Sequence, residues 1–244
     1  LIPPFQWTDI LRAPWLRVKV APVAVASPAT SIIVPTFNEA ASLPELLLRI
    51  RRAVPGCEVI VVDDSSKDGT AEAAEGLGAR VLRRGRKLGL ASAVLDGFEI
   101  SRGGVVGVLD ADLSHPPELI PRLIEIAEGG RIAVASRYVA GGRVSAWALR
   151  RRMMSRAGAS VARLALKIEV RDCMSGFFFA PRAAFERTQF RAEGFKLLLN
   201  VLVDNPGIDA VEVPYEFSER VHGRSKLGAG EILSFWRTLR ALRA

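Results

Sequence analysis

The sequence predicts an α/β protein: a Rossmann-like, mainly parallel sheet covered by helices on both faces. Three observations carry this expectation. From residue 31 to about residue 136, short Val- and Ile-rich runs alternate with segments of helical period. The runs are apolar almost without a break, the pattern of strands buried on both faces. The polar residues with chemical potential cluster just after the runs, at the strand ends where open α/β sheets collect ligands.

Each element has its own signal. Residues 31–34 read as a first strand, stopped by Pro35. Residues 43–54 follow as an amphipathic helix with Leu46, Leu47 and Ile50 on one face. Residues 58–62 form a second strand and 69–77 a short helix; 79–82 form a third strand and 90–100 a helix. The run 105–109 is the fourth strand, 117–128 another helix, and 132–135 the fifth strand.

Composition sets outer limits. At 244 residues the chain holds one large domain, or one domain with extensions, and enough apolar residues for a substantial core. A net charge of +8 favours an anionic partner: nucleotide, phosphate, nucleic acid or an acidic membrane surface. Two cysteines, Cys57 and Cys173, exclude a disulfide framework and a Cys-rich zinc site, and point to a reducing compartment. No apolar run is long enough to span a bilayer, and residues 1–30 lack the basic and continuously apolar regions of a signal peptide.

Three strand ends carry unusual residues: Pro35-Thr36-Phe37-Asn38-Glu39 after the first strand, Asp63-Asp64-Ser65-Ser66-Lys67-Asp68-Gly69-Thr70 after the second, and Asp110-Ala111-Asp112 after the fourth. Taken singly, each is explained by turn and cap punctuation; Asp68-Gly69-Thr70, for example, is a good turn into a helix. Together on one edge of one sheet, they favour a nucleotide pocket. Asp110 and Asp112 are the sharpest signal. Two carboxylates at the end of a buried strand repel each other and resist desolvation, so a cation beside them is expected. Hard oxygen ligands without nearby Cys or paired His favour Mg2+ or Mn2+ over Zn2+. The GxxxxGK[ST] phosphate loop is absent, and no GxGxxG follows the first strand, so P-loop enzymes and dinucleotide-dependent dehydrogenases fit poorly.

The segments VPTFNE, VVDDSSKDGT, RKLGLASAVLDGF, DADLSHPPE, ASRYVAGG, SGFFF, GFK and ERVHGRSKLG occur in this order between residue 31 and about residue 239. Together they resemble the family 2 glycosyltransferases of type A fold, and more narrowly the polyprenol-phosphate (dolichol-phosphate) mannosyltransferases. The resemblance implies an enzyme that moves mannose from GDP-mannose to a polyprenyl (dolichyl) phosphate with inversion, using Mg2+ or Mn2+. Pro35, Phe37, Glu39, Val62 and Asp64 would then hold the nucleoside of the GDP-sugar donor. Asp110, Ala111 and Asp112 would approach ribose, diphosphate and metal, with Ser114 also a metal ligand at a position where some relatives carry Gln. Arg220 and Lys226, in a Gly-rich basic loop, would close over the diphosphate, with Lys196 assisting at the same mouth. The catalytic set implied is Asp112, Arg137, Arg220 and Lys226.

The acceptor side begins at Arg137 and the helix after residue 148. Met153, Ala157, Val161 and Leu164 repeat at helical spacing, while Arg152, Arg156, Arg163 and Lys167 occupy another face. Such a basic amphipathic helix is either a solvated face or a membrane-surface element. By resemblance, Arg137, Arg151 and Ser155 would bind the phosphate of the lipid acceptor, and Arg151 and Ser155, four apart, share a helix face. That phosphate carries roughly −1.5 to −2 charges near neutral pH, so no general base is required, and His115 and His222 read as positioning or loop residues.

The expected organisation is an N-terminal extension (1–30), a catalytic domain (31–228) and a C-terminal amphipathic helix (229–244). Either end lies at a bilayer interface or packs on the domain. The corresponding expectation is a peripheral membrane protein with its site on the cytoplasmic side and no nucleic-acid partner, since the aromatic and basic sheet surface of an RNA binder is missing. Two other readings stay open at this point: a UDP-glucose polyprenyl-phosphate glucosyltransferase, and a non-catalytic nucleotide-binding module.

Overall fold

The first Ile/Val run becomes β1 (Thr30–Thr36), buried along its whole length. The computed structural model describes residues 29–144, 149–190, 197–218 and 229–243. After β1 come α1 (Leu43–Ala53), β2 (Glu58–Asp63), α2 (Thr70–Gly76), β3 (Arg80–Arg83), α3 (Leu90–Ile100) and β4 (Val105–Val108). A 3-10 turn at Pro117–Leu119 leads into α4 (Ile120–Glu128), then β5 (Ile132–Ser136) and β6 (Arg143–Val144). The remainder comprises α5 (Leu149–Leu166), β7 (Phe178–Pro181), α6 (Arg182–Arg187), α7 (Leu197–Asp204), β8 (Ala210–Pro214), β9 (Glu216–Phe217) and α8 (Ala229–Arg243).

The sheet has seven strands in the order β3-β2-β1-β4-β7-β5-β8, and β6 with β9 forms a small second sheet. All pairings of the main sheet are parallel except those of β7, which runs antiparallel to both neighbours, β4 and β5. The chain moves outward from β1 to β3 and then crosses back to β4. The crevice beyond the carboxyl ends of β1 and β4 is therefore a topological switch point, where such folds bind ligands.

Side chains alternate across the sheet and divide the core in two. Ile32, Val34, Val59, Val61, Phe177 and Phe179 face α1, α2 and α4. Ile33, Ile60, Val62, Val106, Val108 and Phe178 face α3, α5, α6, α7 and α8. Both faces are thus covered, as the unbroken apolar runs predict. The C-terminal helix takes part in this core: Leu239 and Leu242 are buried, and Arg243 Nε donates to the Ala165 carbonyl on α5 at 3.1 Å.

Two local differences from the sequence expectation have clear causes. Pro35 does not stop β1, which continues to Thr36. Ile33 accepts from the Leu109 amide on the β4 side and Thr36 from the Asp64 amide on the β2 side, so odd-numbered residues of β1 turn their backbone groups toward β4. Pro35 falls beyond the last β1–β4 pair, Ile33 with Val108, where a missing N–H costs no ladder bond. The second difference is β7 itself, unpredicted as a strand. Its place between β4 and β5 depends on Gly107, whose absent side chain leaves room for Phe179 directly opposite. A Cβ there would lie 2.2 Å from the Phe179 ring.

Gly107→Ala is therefore expected to destabilise the protein by about 1–3 kcal/mol through overpacking, read as a lower urea midpoint. An unchanged midpoint would show that β7 is not seated so tightly against β4.

Candidate active site

The loops after β1 and β2 are built as one unit. Asn38 N donates to Ser66 Oγ (2.8 Å), Lys67 N to Asn38 Oδ1 (3.1 Å), Glu39 N to Thr70 Oγ1 (2.9 Å) and Ala40 N to Asp68 Oδ2 (3.1 Å). The loops take left-handed backbone at Asn38 and Ser65, with φ of 59° and 69°, a region that Asn tolerates better than most residues. Asp63, pointing inward, accepts from Thr36 Oγ1, Ser66 N and Ser66 Oγ. Much of the polarity of these motifs is therefore spent on holding the loops.

Pro35 and Val62 lie opposite each other in register, both buried, and Phe37 follows at the mouth. Lys87 Nζ sits 3.3 Å from the centre of the Phe37 ring, a cation–π contact. Glu39 receives the Ser42 hydroxyl on Oε2 at 2.9 Å, and its carbonyl accepts the amides of Ser42 and Leu43 where α1 begins. Asp64 is buried and organises a third loop. Its Oδ1 accepts from Arg84 Nη1 (3.0 Å) and the Leu88 amide (2.8 Å), and its Oδ2 from the Gly89 amide (2.8 Å). Arg84 is itself buried and also pairs with Asp96 at 3.0 Å. Through Asp64, the segment carrying Lys87 is fixed beside the β1 and β2 ends.

Asp110 and Asp112 follow β4. Asp110 is partly exposed, whereas Asp112, Ala111, Ser114 and His115 are buried. Ser114 donates to Asp112 Oδ1 through both its amide (3.1 Å) and its hydroxyl, so the Ser114 hydroxyl proton serves to orient Asp112. Leu113 between them has φ of +60°, an uncommon conformation for a Leu and the turn that brings Ser114 back onto the carboxylate. Gly176 lies behind Asp110; a Cβ there would stand 2.8 Å from Asp110 Oδ2. Among the described residues no three His, Cys, Asp or Glu side chains form a closed metal cage. Two hard carboxylates at one strand end nonetheless fit Mg2+ or Mn2+, which take one or two protein carboxylates and complete their shell with phosphate oxygens and water.

Arg137 follows β5 on the same edge. It is held as a fork by Asp172, with Nε–Oδ2 and Nη2–Oδ1 both 2.7 Å, and the Arg137 amide also donates to Oδ2 at 2.9 Å. Asp172 is fully buried and is aimed by Glu212, which accepts the amides of Arg171 (2.8 Å) and Asp172 (2.9 Å). Burial works against the Arg137 charge, but the hydrogen bonds and charge of Asp172 outweigh it and hold its pKa above the ordinary arginine value. The guanidinium lies over the rings of Tyr138 and Phe217, 5.2 and 5.5 Å from their centres. Tyr138 OH reaches Ser155 Oγ on α5 at 2.6 Å, and burial raises the Tyr138 pKa, keeping the phenol protonated. Arg137 and Ser155, predicted to act together, are thus joined through Tyr138. Arg151 lies one turn before Ser155 on α5, half-buried. Arg156 approaches the Tyr138 ring to 5.5 Å.

Lys196, Arg220 and Lys226 lie outside the described residues, as do residues 1–28. Sequence reasoning missed Asp172, Tyr138, Tyr215, Arg84 and Lys87. Tyr138 stood in the quoted ASRYVAGG segment without a role, and nothing local marked Asp172 as a buried counter-ion.

The Glycosyl transferase family 2 model matches residues 31–189. A dolichol-phosphate mannosyltransferase of Pyrococcus furiosus is 43% identical over 216 residues, covering 85% of this chain and 61% of its own length. A polyprenol monophosphomannose synthase of Mycolicibacterium smegmatis is 35% identical, covering 83% of this chain and 82% of its own. An undecaprenyl-phosphate mannosyltransferase of Micrococcus luteus is 39% identical, with 81% and 87% covered. Among solved structures, glucosyl-3-phosphoglycerate synthase from Mycobacterium tuberculosis, in complex with Mn2+, UDP and glucosyl-3-phosphoglycerate, superposes with a TM-score of 0.67. At 23% identity over 89% of this chain and 79% of that one, it shares the fold.

Removing the carboxylate of the buried pair with Asp172→Ala is expected to cost about 3–5 kcal/mol, because the buried Arg137 charge loses the counter-ion that holds its fork. The double variant Asp172→Leu with Arg137→Met is expected to lose much less. Urea unfolding of both checks this; equal losses would show that the two charges are not coupled.

Proposed function

The chain belongs to glycosyl transferase family 2, and on that premise we propose that it transfers mannose from GDP-mannose to a polyprenyl phosphate with inversion. One observation carries the reading: the Asp110/Asp112 pair and the Asp172-locked Arg137 stand on one sheet edge, separated by β7 alone. Strands are spaced about 4.8 Å apart, so the ends of β4 and β5 lie about 10 Å from each other. That gap suits one hexose between a diphosphate and an attacking phosphate. The names of the relatives supply the sugar and the acceptor class.

The proposed chemistry is a single displacement. A phosphate oxygen of the acceptor forms a bond to the anomeric carbon as the bond from that carbon to the diphosphate breaks, and the electron pair leaves with GDP. Inversion requires attack from the face opposite the leaving group, which the separation of the two charged ends favours. The acceptor is already anionic, roughly −1.5 to −2 near neutral pH, so a positioned cation matters more than a base. Arg137 fills that need, with Arg151 and Ser155 on α5 beside it. Because Asp172 occupies Nε and Nη2, Arg137 is pre-oriented before substrate arrives. A divalent ion, Mg2+ or Mn2+, held by Asp110 and Asp112 would neutralise the departing diphosphate. Pro35, Phe37, Glu39, Val62, Asp64 and Ala111 would shape the nucleoside and ribose site. Lys196, Arg220 and Lys226 are assigned to the diphosphate by the resemblance alone.

The acceptor's lipid tail calls for a membrane surface, and α5 offers a suitable face. Met153, Val161 and Leu164 are exposed, Leu164 by 83%, beside the exposed Arg156. Trp236 on α8, which packs on α5, is exposed as well. Apolar residues flanked by arginines match an element lying in the headgroup region of an anionic leaflet. No described helix is long and apolar enough to cross a membrane. Peripheral contact on the cytoplasmic side is the attachment proposed.

The test presents GDP-mannose, GDP-glucose, UDP-glucose and UDP-mannose with Mg2+ or Mn2+ and two acceptors: a long polyprenyl phosphate in anionic vesicles and a short, water-soluble one. Mannosyl lipid is expected from GDP-mannose. Asp112→Ala is expected to abolish transfer to both acceptors while leaving the circular dichroism spectrum unchanged. Leu164→Glu is expected to lower transfer to the vesicle acceptor about tenfold, through lost apolar insertion and repulsion from the anionic leaflet, and to spare the short one. Full activity of Asp112→Ala would sink the catalytic assignment, and equal use of both acceptors by Leu164→Glu would remove α5 from membrane contact.

A further inference from the structure

His115 is buried behind the Asp110/Asp112 pair, away from any solvent role. It is 2% exposed and stands among the rings of Phe177, Tyr215 and Phe217, with centroid distances of 5.3 to 5.5 Å. Its Nδ1 meets the Tyr215 hydroxyl at 2.9 Å, and its Nε2 lies 3.5 Å from Asp110 Oδ2. Tyr215 is 5% exposed, and burial raises its pKa well above the ordinary phenol value, so it remains a protonated donor.

These contacts assign the hydrogens. A neutral imidazole has one donating and one accepting nitrogen. Were Nε2 the acceptor, its lone pair would face the Asp110 carboxylate; with the phenol donating to Nδ1, the Nε2–H faces it instead. A charged ring carries a proton on Nε2 too, so the donor toward Asp110 is the same in either state. Gly176 lies beside the same oxygen and leaves the space in which Asp110 is seated, since a Cβ there would stand 2.8 Å from Oδ2. The backbone around Tyr215 is fixed to the acceptor side: its amide donates to the Ser136 carbonyl (3.1 Å), next to Arg137, and the Ser218 amide donates to the Ser114 carbonyl (3.2 Å).

We infer that His115 and Tyr215 are positioning residues for Asp110: Tyr215 sets the imidazole, and the imidazole Nε2–H holds one carboxylate oxygen so that the other faces the metal and diphosphate. The arrangement parallels the partners behind metal-binding carboxylates, whose loss typically weakens metal binding 10- to 100-fold. At 3.5 Å the Nε2–Oδ2 contact is longer than a normal hydrogen bond, and contacts of this kind tighten when substrate binds. The inference rests on the proposed function, since it takes Asp110 as a metal and donor ligand.

The test is Mn2+ binding in the presence of GDP, followed by electron paramagnetic resonance on the full chain. Binding by the wild-type protein reads the metal assignment itself; none at all would overturn that assignment and this inference together. With wild-type binding in hand, Tyr215→Phe, which keeps the ring and removes only the hydroxyl, is expected to weaken Mn2+ binding about tenfold. His115→Leu is expected to weaken it further, and His115→Gln, which restores an N–H donor, to recover part of the loss. In an Asp110→Asn background, Tyr215→Phe is expected to change the affinity less than about twofold, because the group it acts through is gone. Unchanged binding in Tyr215→Phe and His115→Leu, or the same loss with and without the Asp110 carboxylate, would overturn the inference while leaving the metal assignment standing.

Discussion

The antiparallel strand β7, wedged between two strands of the opposite sense, sets the spacing on which the proposed reactive edge depends. Without β7 between them, the ends of β4 and β5 would lie about 4.8 Å apart, too close for the sugar that the proposed reaction places between a diphosphate and a second phosphate. The inserted strand doubles that distance. It also brings the turn Ser175-Gly176-Phe177 to the same edge, because an antiparallel strand begins where its neighbours end. Gly107 leaves space for Phe179 within the sheet, Gly176 leaves space for Asp110 above it, and Phe177 forms one wall of the His115 cage. Packing in the core and geometry at the site are therefore set by the same short segment.

Around that frame, charge is handled by local pairing. Asp63 and Asp64, consecutive and buried, are not left to repel each other: Asp63 is satisfied by Thr36 and Ser66, Asp64 by Arg84 and two loop amides. Arg137 is offset by Asp172, itself aimed by Glu212 through the backbone. A buried pair of this kind adds little net stability compared with an apolar pair. Its value is orientation, since an arginine whose fork is already engaged is fixed in direction. The proposed donor and acceptor halves are then joined by Tyr215, tied to Ser136 by its amide and to His115 by its hydroxyl.

The parts legible in the sequence are those governed by local periodicity. Residues 90–100 are helical as expected, and the first five strands fall within a residue or two of their predicted positions, because period and crossover length determine them. Asp110 and Asp112 were legible for a similar reason: two carboxylates after a buried run are conspicuous. Pro35 misled, since its effect depends on where β4 ends rather than on Pro itself. β7 was missed because its Phe-rich run is short, leads directly into α6, and owes its place to a partner more than 70 residues earlier in the chain. Asp172 and Tyr215 were missed for the same kind of reason, since Asp172 gains its meaning only against Arg137 and Tyr215 only against His115, |i−j| of 35 and 100. Conversely, Asp64 and Ser114 were read by resemblance as ligand contacts, and the hydrogen bonds they make belong first to the architecture of their own loops.

The most direct measurement is a crystal structure of the chain with Mn2+ and GDP, with the metal located by its anomalous scattering. The expected result is a single strong peak bonded to oxygens of both Asp110 and Asp112 and to the diphosphate, at the carboxyl ends of β1 and β4, with Arg137 across the gap left by β7. A manganese ion on other residues, or a diphosphate bound away from that edge, would contradict it.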